Sequence, residues 1–184
     1  MIGKIKTRLI IPQCRYYRED KYCNDAWNYE KRVAMLEKAI DIAPTDLVVT
    51  SNNFLAFDLT YFSNAKDFIV KEIIPMLNEG LSQKIPVVLG FDLFGEEAPY
   101  NPYRGIDSVV CFIDVKNNHY EYRTHIWECW ADKRECDQKG FSEQKESRIF
   151  TFQSIRFGLL SCGDVAIYCH NRGKLLPEVD IYLD

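Results

Sequence analysis

Residues 29–50 read YEKRVAMLEKAIDIAPTDLVVT, and two periodicities meet inside this stretch. Tyr29, Val33, Leu36, Ile40 and Ala43 recur at helical spacing, while Glu30, Lys31, Glu37, Lys38 and Asp41 fill much of the remaining surface. That is the pattern of an amphipathic helix with one face toward a core. Asn24 or Asp25 offers a side-chain cap for its start. Pro44 stops it, because proline disfavours helical backbone in the residue before it. Beyond the proline, Asp46-Leu47-Val48-Val49-Thr50 reads as a short buried strand, and Thr7-Arg8-Leu9-Ile10-Ile11 has the same texture upstream. Strand, helix and strand joined by a short connection predict a βαβ unit with parallel neighbouring strands.

The unit repeats. Ala65 to Leu81 carries Phe68, Ile69, Ile73, Met76 and Leu77 at helical spacing, with Pro75 expected to kink it or end it early. Ile85-Pro86-Val87-Val88-Leu89-Gly90-Phe91 is the third strand, and Asp92 to Ile106 reads as a loop. The texture then turns β-rich. Ser108–Val115 and His119–Thr124 flank Lys116-Asn117-Asn118 as a hairpin, and Arg148–Phe152 joins Ile155–Ser161 through Gln153-Ser154 as a second. A helix over Val165–Lys174 and a strand over Val179–Leu183 close the pattern.

Composition bounds the function. The 184 residues suit one domain, 1–184, large enough to bury a core without metal or disulfide staples. The formal charge is −4 and no basic block stands out, so nucleic acid and anionic membrane are not expected partners. Met1-Ile2-Gly3-Lys4-Ile5-Lys6 interleaves charged and apolar residues, without the apolar run of a signal peptide or membrane span. The seven cysteines are odd in number and irregularly spaced, which suits reduced thiols in a cytoplasmic protein. Gly-rich phosphate loops are absent, and no cofactor is indicated. His125, Cys129, Cys136, Cys169 and His170 could ligate zinc, but no pair has C-x₂-C or H-x₃-H spacing, so no metal site is assigned.

Ile155-Arg156-Phe157-Gly158-Leu159-Leu160-Ser161-Cys162-Gly163-Asp164 is the segment richest in chemistry. An apolar strand runs into Cys162, and Gly163-Asp164 opens a helix. A thiol at such a turn sits beside helix-start N–H groups, which favour thiolate and offer oxyanion donors. The competing reading is a small apolar residue closing a core strand, since free cysteine is often buried.

The order of elements and several local phrases resemble the nitrilase, or carbon–nitrogen hydrolase, superfamily. The phrases are Ile10-Ile11-Pro12-Gln13, the helix from Asn28, Asp46-Leu47-Val48-Val49, Pro86 to Phe91, Tyr100-Asn101, Tyr122-Arg123-Thr124-His125-Ile126, and Phe157 to Asp164. The resemblance implies an α/β fold, the family's four-layer αββα sandwich of mixed sheets, and a Glu–Lys–Cys triad. Carried over, Cys162 stands at the nucleophile position, Asn53 at that of the Glu, and Arg123 at that of the Lys. Asn cannot accept a proton at neutral pH, and loss of a general base typically costs about 10²–10⁴-fold in rate. Arg123 keeps the charge but is a wide planar fork in place of a compact ammonium. Glu128 and Glu135 follow the Arg123 segment as a substitute base, or are solvated surface charge.

Family members extend further past the nucleophile, so the second sheet is expected to be truncated at its C-terminal end, with an edge that invites a homo-oligomer or another chain. Three functions follow as expectations. The first is a degenerate member with little C–N hydrolysis and a ligand-binding or structural role. The second is a thiol amidase acting through Cys162 on a small amide or nitrile-like ligand. The third is a zinc-stapled interaction module.

Overall fold

Strand β1 (Thr7–Ile10), helix α1 (Tyr29–Ile42) and strand β2 (Leu47–Thr50) form the expected unit, with β1 and β2 parallel and Leu9 opposite Val49. The computed structural model describes residues 4–11, 28–51, 54–58, 61–62, 64–94, 106–124, 149–160 and 178–183. The cap of α1 is Asn28, whose side chain accepts from the Lys31 N–H at 3.0 Å; the cap falls closer to the first apolar residue than Asn24 or Asp25. Ala43 takes an extended backbone ahead of Pro44 and ends the helix.

Next come β3 (Leu55–Asp58), α2 (Ala65–Phe68), a π-helical turn (Ile69–Ile73) and α3 (Ile74–Gly80). The helix neither ends nor breaks at Pro75. The proline has no N–H to give the preceding turn, and the chain widens: Ile74 N–H reaches back to the Ile69 carbonyl, five residues away.

Strand β4 (Val87–Phe94) runs three residues past Phe91, into the segment expected to be loop. Its parallel partners β2 and β3 share one edge, because β5 (Ile106–Asp114) occupies the other along the whole length. Between Val49 and Leu55 the chain advances six residues while β4 advances three, from Val88 to Phe91, so three residues are extra where β2 gives way to β3. Strand β6 (His119–Thr124) completes the six-stranded sheet in the order β1-β2-β4-β5-β6. Its hairpin turn is fastened by Asp114, whose carboxylate accepts from the Asn117 N–H and side-chain amide, with Asn118 at a φ of 49°.

A second sheet holds β7 (Ile149–Phe152), β8 (Ile155–Leu159) and β9 (Ile181–Leu183) in that order. The β7–β8 turn places Gln153 and Ser154 at φ 49° and 64°, the pair of positive values that a tight two-residue hairpin requires. Gly158 lets β9 lie close, for a Cβ there would stand 2.8 Å from a Tyr182 ring carbon.

Alternation along the strands sorts the two sides of the large sheet. Val87, Leu89, Phe91, Val109, Cys111 and Ile113 face the helices. Val49, Val88, Val110 and Phe112 face Phe150, Phe157 and Leu159 of the small sheet. Phe57 stacks on Phe68 at 4.0 Å in the first core, and Phe112 on Phe150 at 4.2 Å in the second. The described residues thus form helix, sheet and sheet layers of a mixed α/β fold. No helix among them is long and apolar enough to cross a membrane.

Candidate functional site

Of the five positions singled out above, the structure describes Arg123; Asn53, Glu128, Glu135 and Cys162 lie outside the described residues. The elements leading to two of them are in view. Thr50 and Ser51 precede Asn53 at the break between β2 and β3, and Leu160, continuing β8, lies two residues before Cys162. Leu160 is buried and its N–H donates to the Leu183 carbonyl at 2.8 Å, so the chain is held in the second sheet up to this residue.

Arg123 sits on β6 opposite Val110 of β5, and Val110 sits opposite Gly90 of β4. Gly90 N–H in turn donates to Thr50 Oγ1 at 3.1 Å. One line across the sheet therefore joins the end of β2 to Arg123, over three strand spacings or about 14 Å. The bond has a local cause. Where β2 stops, β4 still presents an amide to that edge, and a buried N–H needs a partner.

Strand β6 alternates aromatic and charged residues. Tyr120 and Tyr122 pack on the helix-side core, and His119, Glu121 and Arg123 fall on the other face. The Arg123 guanidinium donates through Nη1 to the Tyr122 carbonyl and holds Glu121 at 3.7 Å through Nη2. This leaves the guanidinium folded onto its own strand, on the face of the large sheet that Val110 shares. Opposite Tyr122 on β5, the Cys111 thiol is wholly buried; burial pushes its pKa well up, the Glu121 charge adds to the rise, and the Arg123 charge opposes it.

Two buried charged residues that the sequence reading passed over lie on opposite sides of the large sheet. Asp92 falls inside β4, on the Arg123 face of the sheet by register, and is 8% exposed. It accepts a hydrogen bond from Ser108 Oγ of β5 at 2.9 Å. Periodicity offered no signal for it, because Asp at a strand end reads as the start of a loop. The other is Arg32 of α1, 1% exposed, with its guanidinium 5.0 Å from the centre of the Phe54 ring and Nη1 3.9 Å from Met35 Sδ. Phe54 directly follows Asn53 in the chain.

Among the described residues no group of three or more His, Cys, Asp or Glu could hold an ion; His125, Cys129, Cys136, Cys169 and His170 lie outside them. Comparisons with protein-family models, curated proteins and solved structures return no match for this chain.

Proposed function

We propose that the chain is a nitrilase-like αββα protein that has lost efficient carbon–nitrogen hydrolysis and keeps a ligand-binding or structural role. The observation that carries this reading is the engagement of Arg123. A guanidinium committed to Glu121 and to its own strand carbonyl is poorly disposed to meet the oxyanion of a tetrahedral intermediate. The parallel βαβ start, the helices on one face of the large sheet and the second sheet on its other face are compatible with that architecture. Asn53 at the position of the usual base removes proton transfer, worth about 10²–10⁴-fold.

A cytoplasmic setting, with its thiols reduced, belongs to the same reading, as does a second copy or another chain along the β9 edge. Among the described residues β9 pairs only with β8. Ile181 and Tyr182 on it are 37% and 40% exposed.

Asp92 favours a second reading. A buried carboxylate on the Arg123 face is better shielded from water than a surface glutamate and could serve a Cys162 thiol as base in an active amidase. Incubating the purified chain with a panel of small amides and nitriles separates the two. The degenerate reading expects no turnover above a Cys162→Ala control. Turnover abolished by Cys162→Ala overturns it, and its further loss in Asp92→Asn would assign the base.

A further inference from the structure

We propose that the groove between α1 and α3, on the outer face of the helix layer, docks a basic amphipathic helix of a partner protein. The groove encloses about 740 Å³. Its walls are two facing stripes. Glu30 and Glu37 stand on α1, while Glu72 in the π turn and Glu79 in α3 stand opposite. Each pair is seven residues apart, about 10 Å along a helix axis. Between the acidic walls the lining is apolar, with Val33 from one side and Pro75 and Met76 from the other. At Gly80 the helices touch, for a Cβ there would lie 2.2 Å from Val33 Cγ1.

Among the described residues no cation forms an ion pair with the acidic walls. Lys71 pairs with Asp67 at 2.7 Å, and Lys84 is spent on the carbonyls of Leu77, Asn78 and Leu81. Glu37 accepts the Ser82 N–H. Glu30, Glu72 and Glu79 have no ion pair among the described residues.

Two rows of carboxylate about 10 Å long, with an apolar floor between them, match a helix that lays an apolar face in the groove and cations over both walls. One small cation can meet one end of such a site but not its length. A symmetric contact with a second copy would set glutamate rows against glutamate rows, which like-charge repulsion opposes.

The test uses the full chain and a labelled 21-residue helical peptide with Leu at heptad positions a and d, Lys at e and g, and Ala elsewhere. Its twin carries Glu for Lys. The Lys peptide is expected to bind in fluorescence anisotropy, more weakly as salt rises, and the Glu twin not to bind. Removing two exposed rim charges in Glu30→Gln/Glu79→Gln should weaken binding roughly 2- to 30-fold. Glu30→Lys/Glu79→Lys should shift preference toward the twin. Circular dichroism establishes that each variant is folded. Equal binding of both peptides, affinity unchanged in the double variants, or displacement of the peptide by spermine at equal charge concentration would each overturn the proposal. Self-association that Glu30→Gln/Glu79→Gln abolishes would assign the groove to a second copy and overturn it as well.

Discussion

Replacing Thr50 by Val tests how the large sheet survives the break between β2 and β3. Thr50 is 3% exposed, and its Oγ1 accepts the Gly90 N–H at 3.1 Å. Valine keeps the branched shape and so leaves no cavity, but it removes the acceptor. A buried donor left unmatched costs about 1–3 kcal/mol, and the methyl that replaces the hydroxyl returns about 0.8 kcal/mol of burial at most. The net loss should be about 0.2–2 kcal/mol, which for a chain of this length lowers Tm by up to roughly 8 °C. Thr50→Ser is the matching control, since it retains the acceptor and loses one methyl, about 1 kcal/mol.

Stability alone does not separate the two variants, so the assay is amide hydrogen exchange at Gly90 alongside thermal unfolding. In Thr50→Val the Gly90 amide should exchange about tenfold faster or more relative to its strand neighbours, the factor that corresponds to about 1.4 kcal/mol. In Thr50→Ser its protection should fall only with global stability. A Thr50→Val protein as stable as the parent, with Gly90 protection unchanged, would refute the reasoning.

Three further outcomes are expected. Gly80→Ala gains about 1 kcal/mol of helix propensity but drives a Cβ to 2.2 Å from Val33 Cγ1, an overpacking that costs about 1–3 kcal/mol. Combined with Val33→Ala, the clash is relieved, and a urea-unfolding double-mutant cycle should show more than about 0.5 kcal/mol of coupling; additive losses would count against the contact. Tyr29 donates to the Ala56 carbonyl at 2.7 Å and is pushed up to about 12, by burial first and the Glu72 charge second. The fold therefore favours the neutral phenol, and this contribution, intact below pH 10, is lost as pH rises from 10 through about 12. Phenolate absorbance should place the Tyr29 transition well above that of the unfolded chain, and Glu72→Gln should lower it. Finally, Cys111 is fully buried with its thiol pKa raised, so iodoacetamide should modify it only on unfolding. Peptide mapping that finds it labelled in the folded chain would refute that burial.

Much of the architecture was legible in the residues because its signals are local. The period of Tyr29, Val33, Leu36 and Ile40 marked α1, the apolar runs at Thr7 and Leu47 marked two parallel strands, and the residues between paired runs marked both hairpins. Each depends on neighbours a few positions away, so sequence suffices. Among the candidate residues, Arg123 was legible as part of the His119–Thr124 strand, but not its engagement with Glu121 and the Tyr122 carbonyl.

What needed the assembled structure depends on partners far along the chain. Leu55–Asp58 is a strand because β4 continues to Phe94 and offers it an edge; four residues show no period of their own. Asp92 is buried because Ser108 arrives opposite it, and Arg32 because Phe54 supplies a ring to cover its charge. The sequence by itself determined the elements that carry an apolar period of their own, since repeating apolar spacing sets the face that leaves water. The tertiary structure decided which polar and charged groups are enclosed, because burial of such a group depends on the partner that packing brings to it.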